Sequence, residues 1–160
     1  EKGEAACPNE RVRLMWIGRG LWFNLGFYQH FERRYGAVFV WSIYLGLAAD
    51  AYARYGDDPL RTLASRFVGM EDMLHMPTWN SDWYVKEARH NQIDGVVHLI
   101  SDSCTQGAGG TYFIRKALED AGFPVLQLHA DPVDARSWDD SAMIAQLEQF
   151  LEQRLGVKPS

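Results

Sequence analysis

Four short apolar runs, each stopped by glycine or polar residues and followed by an amphipathic stretch, constrain this chain more than any other feature. They occupy residues 12–17, 37–44, 95–100 and 124–128. Runs of this length, rich in β-branched and aromatic residues and lacking strict alternation, read as strands buried on both faces. The stretches between them carry the helical period, so they cover a parallel sheet. Right-handed crossovers then predict an α/β, flavodoxin-like, doubly wound sheet of about four parallel strands in the order 2-1-3-4, with helices on both faces.

The connecting stretches predict their own boundaries. A helix is expected over 22–35, with Phe23, Phe27 and Phe31 on one face and Gly36 as its C-terminal cap. Residues 46–92 should hold two or three helices: one near 47–55, one from Asp58 with Pro59 at its first position, and one near 81–91 capped by Ser81 or Asn80. The segment from His75 to Asn80 separates the last two. Gly107-Ala108-Gly109-Gly110 opens a helix reaching Ala121 and closed by Gly122, and 141–155 forms a final helix with Ile144, Leu147, Leu151 and Leu155 inward.

A chain of 160 residues suits one core, with 1–10 as a lead-in and 11–157 as a single domain. Its 16 basic against 21 acidic residues, a net charge of -5, lack the basic excess that phosphate-backbone binding needs, so nucleic acid is not an expected partner. No apolar run approaches the ~20 residues of a membrane-spanning helix, and a start of Glu1-Lys2-Gly3-Glu4 resembles no signal peptide. The expected location is cytoplasmic, with no membrane partner. Two cysteines, Cys7 and Cys104, exclude a disulfide framework. The absence of an initiator Met and six Trp beside seven Tyr and eight Phe suggest a piece of a longer protein.

In sheets of this kind ligands bind beyond the carboxyl ends of the strands. That rule collects Gly18-Arg19-Gly20-Leu21-Trp22, Ser42-Ile43-Tyr44, Ser101-Asp102-Ser103-Cys104-Thr105, and His129-Ala130-Asp131 with Asp134 and Arg136. Cys104 stands out, because a helix N-terminus just after a strand favours an anion and a thiolate. The alternative is a small buried hydrophobe. A cysteine phosphatase or arsenate reductase, with Asp131-Pro132 as its acid loop, would need an Arg six residues after the cysteine to hold the oxyanion, where this chain has Gly110. A receiver domain would need an acidic pair, and a flavodoxin a Ser/Thr-rich loop, where Gly18-Arg19-Gly20 stands. A dinucleotide fingerprint would need glycine where Phe23 stands. The histidines, His30, His75, His90, His98 and His129, form no pair at metal-ligand spacing. His30 and His90 read as helix-surface residues, His98 as a satisfied core histidine, and His129 as a strand-end residue within reach of the site.

Several segments in order carry a family resemblance: Trp16-Ile17-Gly18-Arg19-Gly20-Leu21-Trp22-Phe23, Tyr28-Gln29-His30-Phe31-Glu32, Tyr35-Gly36-Ala37-Val38-Phe39-Val40-Trp41-Ser42, Tyr55-Gly56-Asp57-Asp58-Pro59-Leu60, Asp94-Gly95-Val96-Val97-His98 and Ser103-Cys104. From Arg11 to the last helix the chain resembles the C-terminal domain of a 2-hydroxyacyl-CoA dehydratase family subunit, most of all a benzoyl-CoA reductase subunit. The resemblance implies a two-domain subunit with a 4Fe-4S cluster on three cysteines. Cys104, after Ser103, would be one of them, and the others would come from an N-terminal domain of the same subunit. It also implies a homologous second subunit, an ATP-hydrolysing iron-sulfur protein as electron donor, and one-electron chemistry on an acyl-CoA thioester, either ring reduction or dehydration. This chain alone would then hold no cluster and be inactive. Gly18, Arg19 and Gly20 are expected to support the cluster or thioester. Cys7 matches no ligand motif. Trp22, Trp41, Tyr44 and Trp138 are candidates for cover by a second domain or subunit. The remaining alternative is a non-catalytic acyl-CoA-binding or partner-binding module of the same fold.

Overall fold

The computed structural model describes residues 7–45, 57–75, 77–104 and 109–160. Four strands, β1 (Val12–Ile17), β2 (Ala37–Ser42), β3 (Gly95–Ile100) and β4 (Val125–His129), form one parallel sheet in the order β2-β1-β3-β4. Every residue of β3 is buried, as a central strand covered on both faces requires. The chain order reverses between β1 and β3, which puts the crevice of this sheet beyond those two strand ends.

Two helical layers sandwich the sheet. On one face α1 (Gly26–Tyr35) and the last helix, α5 (Asp140–Gln153), pack Phe27, Phe31, Leu147 and Leu151 against Leu14, Trp16, Val97, Leu99 and Leu128. On the other, α3 (Pro77–His90) and α4 (Thr111–Asp120) pack Trp83, Tyr84, Ile114 and Leu118 against Met15, Ile17, Trp41 and Val96. A helix α2 (Pro59–His75) precedes α3. Phe31 touches Phe27, His30 and Tyr35 edge-on or tilted, and burying such a ring contributes about 2–3 kcal/mol. Gly36 caps α1 in the left-handed conformation that the sequence predicts.

Helix starts depart from the periodicity. α1 begins at Gly26 rather than Trp22 because residues 21–25 fold as turns: the Trp22 amide donates to the Gly20 carbonyl and that of Asn24 to Leu21. Leu21 fills the core there, while Phe23 lies at the surface against Trp138. β2 ends at Ser42, two residues early. α3 starts at Pro77, where a missing amide hydrogen costs nothing, so Asn80 and Ser81 are buried helix residues rather than caps and the expected six-residue break is far shorter. In α5, Asp139 caps the helix through the Ala142 amide, and the inner face is Met143, Leu147, Phe150 and Leu151, with Ile144 and Leu155 half-buried. The helix expected near 47–55, and Gly107 and Ala108, lie outside the described residues. Among the described residues no helix is long and apolar enough to cross a membrane.

Candidate functional site

The end of β1 approaches β3 as closely as backbone allows. Gly18 has φ +108°, and a Cβ on it would lie 2.5 Å from the Leu99 carbonyl oxygen. The loop is then pinned from below: the Trp16 indole N–H donates to the Arg19 carbonyl at 2.9 Å, and the Leu21 amide donates to the Tyr28 hydroxyl at 2.9 Å. Burial pushes the Tyr28 phenol up to about 12, so it remains a neutral anchor. Arg19 is exposed above this loop. Gly18-Arg19-Gly20 is thus a turn held from below, with the Arg19 cation at the surface beyond β1.

Beyond β3 and β4 the two loops are laced together. In the sheet Ile100 lies opposite His129, so residues just past the strand ends meet. His129 Nδ1 lies 2.9 Å from Asp102 Oδ1, and the Ser103 hydroxyl donates to Asp131. Ser101 and Ser103 hydroxyls are 3.2 Å apart. Asp131 also accepts from the amides of Val133 and Asp134, at 2.7 and 2.9 Å. The Ser103 hydroxyl, these amides and the Arg19 charge hold its carboxyl below the usual carboxylate range. Asp131 thus ties the loop after β4 to Ser103 and to its own turn through the Val133 and Asp134 amides.

Cys104 sits at the turn leaving β3, half-buried, its amide donating to the Ser101 carbonyl at 3.2 Å. Gly109 and Gly110 then lead into α4, whose N-terminus has no side-chain cap. Cys7 lies before β1, at the amino end of the sheet, where burial and Glu32 raise its thiol above the ordinary value. Six strand residues rise about 20 Å, so one mononuclear or cluster site cannot span both thiols. Among the described residues no group of three His, Cys, Asp or Glu is placed to hold a metal ion. Cysteine sulfur is the usual ligand of iron-sulfur clusters, and among the described residues Cys104 is the one cysteine at this end of the sheet.

Two aromatic expectations divide. Trp22 is 67% exposed and pairs with exposed Tyr44 at 5.4 Å beside the crevice, whereas Trp41 is core, packed between Trp83 and Tyr84 with its indole donating to Glu87 at 3.0 Å. Trp138 is half-buried over Phe27. A groove along α1, lined by Gln29, His30, Arg33 and Arg34, belongs to another face; there His30 and Arg34 are tied to Glu148.

His98 is buried as expected but not satisfied: its Nδ1 has no hydrogen-bond partner among the described residues. Burial, with a smaller contribution from His129, pushes the ring down to about 4 from 6.5. The unfolded chain therefore takes up the proton first as pH falls, so stability is full above about 6.5 and declines toward 4, by about 3 kcal/mol in all. Urea midpoints at neutral pH and near pH 4.5 check this: His98→Leu should flatten the acid loss, and equal slopes for variant and wild type would refute the assignment.

The pairing of His129 with Asp102 was not legible from motif spacing. Its one available signal was the parallel register, which sets residues past the two strand ends side by side. Compared with protein-family models, residues 1–153 match the family described as 2-hydroxyglutaryl-CoA dehydratase, D-component. Comparison with curated proteins finds none that matches.

Proposed function

The chain belongs to the 2-hydroxyglutaryl-CoA dehydratase D-component family, and on that premise we propose that its strand-end crevice is part of the active site of a multi-subunit enzyme that eliminates water from a 2-hydroxyacyl-CoA thioester. The observation that carries the site assignment is the position of Cys104, at the carboxyl end of β3 beside the crevice between β1 and β3.

In this reading Cys104 is one thiolate ligand of a 4Fe-4S cluster, with its other ligands outside the described residues, in an N-terminal domain of the same subunit. When bound, that cluster supplies one-electron reduction of the thioester, with electrons from a separate ATP-hydrolysing iron-sulfur protein. The residues of this chain do the rest. Gly18 keeps the crevice narrow, and Arg19 presents a cation to an anionic part of the substrate. Ser103, fixed by Asp131, places a hydroxyl beside Cys104 and orders its loop. Exposed Trp22 and Tyr44 are covered by the second domain or a homologous second subunit. Ring reduction of an aromatic acyl-CoA would use the same parts, and the sequence resemblance favours it. The family description favours elimination.

The test is an anaerobic assay of the complete complex with its reductant and ATP, offered a panel of 2-hydroxyacyl-CoA thioesters and benzoyl-CoA. Formation of the 2-enoyl-CoA supports the proposal. Turnover confined to benzoyl-CoA replaces dehydration by ring reduction, and iron-free protein without turnover sinks both.

A further inference from the structure

On the outer face of α1, two rows of side chains enclose a groove. The helical period sets Gln29 and Arg33 in one row and His30 and Arg34 in the next, the members of each pair one turn apart. The groove measures about 450 Å³, the size of a small-ligand site, and Gly26 leaves its amino end without a side chain. From α5, Glu148 Oε1 reaches His30 Nε2 at 3.1 Å and Arg34 Nε at 3.3 Å, and Arg34 also lies over the Tyr35 ring. That row is held in place. Gln29 and Arg33 are exposed, and neither has a hydrogen-bond or ion-pair partner among the described residues. Glu32, the one acid within α1, acts on Cys7 instead. On a chain of net charge -5, the groove therefore gathers two arginines and an imidazole against a single carboxylate.

We propose that this groove binds the phosphate groups of a nucleotide-type ligand. A guanidinium fork donates two parallel hydrogen bonds to phosphate oxygens, and Arg33 holds such a fork uncommitted. Gln29, one turn away on the same row, offers amide N–H donors to the same oxygens. Arg34 adds a fixed positive charge on the facing row. From Gly26 to Arg34 the groove runs about 12 Å along the helix axis, so two phosphate groups fit in series. None of the large exposed apolar side chains lines it, which disfavours a protein partner, since protein interfaces carry an apolar core. Two sources supply this chemistry: coenzyme A, through its diphosphate and 3′-phosphate, and a free nucleotide such as ADP. The groove lies on a different face from Cys104, so the assignment goes beyond the dehydratase reading and does not depend on it.

The experiment is a calorimetric titration of the full chain with coenzyme A, ADP, pyrophosphate and phosphate-free pantetheine. It compares wild type with Arg33→Ala, Arg33→Glu and Arg61→Ala, all at exposed positions where the fold should be retained. Kd for the phosphate-bearing probes should rise by roughly tenfold or more in Arg33→Ala, the worth of a hydrogen bond to a charged group, and further in Arg33→Glu. Arg61→Ala removes the same charge from α2, outside the groove, and should change Kd by less than about twofold because solvent screens a distant charge. Pantetheine should not bind. Coenzyme A binding at least about tenfold tighter than ADP identifies the thioester as the source, and ADP binding as tightly identifies a free nucleotide. No saturable binding of any phosphate probe to wild type, pantetheine binding as tight as that of coenzyme A, or equal weakening in Arg33→Ala and Arg61→Ala each overturns the assignment. None of these results bears on the dehydratase reading, which turnover of the complete complex decides.

Discussion

Cys104→Ala in the complete complex should remove the iron-sulfur spectrum of the subunit and lower turnover at least about a thousandfold, since changes in groups that merely support metal ligands already cost roughly 10- to 100-fold. The fold should survive, because Cys104 is half-buried on a turn and contributes little to either core cluster. Truncating a side chain in such a place costs on the order of 1 kcal/mol or less. Loss of iron with retained secondary structure and an unchanged urea midpoint is therefore the expected pattern. Cys7→Ala is the control. It sits at the amino end of the sheet, about a full strand length of 20 Å away, and iron content should be unaffected. A cluster spectrum that persists in Cys104→Ala removes this residue from the ligand set.

The largest effect on stability is expected at Gly18. A side chain there meets two penalties at once: φ of +108° and a Cβ 2.5 Å from the Leu99 carbonyl oxygen, on the backbone of the central strand. Strained backbone of this kind costs about 1–3 kcal/mol for a residue with a Cβ, and β-branched valine adds the overlap with an atom that cannot rotate away. Gly18→Val should lose about 4 kcal/mol or more, a large part of the typical 5–15 kcal/mol total. Gly122 separates the two penalties, because it has φ +92° but nothing within 4 Å of its missing Cβ. Gly122→Ala should lose only about 1 kcal/mol. Comparable urea midpoints for Gly18→Ala and Gly122→Ala would show that contact with Leu99 is not limiting.

Most of the scaffold was legible in the sequence. β3 matches its apolar run at both ends, and β1 does so as well. The strand order follows from handedness and the parallel pattern. Helix starts were less legible: Phe23 has the spacing of an inward residue yet is displaced by Leu21, whose amide finds the Tyr28 hydroxyl. Trp41 shows the same limit. Its place near a strand end suggested an exposed ring, but the α3 layer extends over it with Trp83, Tyr84 and Glu87.

The sequence by itself determined the strands, their order, and the place of Cys104 just beyond the carboxyl end of the third strand. Those properties are local, set by hydrophobic period, by glycine at turns and by the handedness of crossovers. Tertiary structure alone decided which polar groups meet there: His129 with Asp102, 27 residues apart, and Ser103 with Asp131, 28 apart. It also left the Nδ1 of His98 without a partner. Such pairings depend on the register of two parallel strands and the path of the loops beyond them, and hydrogen bonds form or fail on tenths of an ångström that no periodicity encodes.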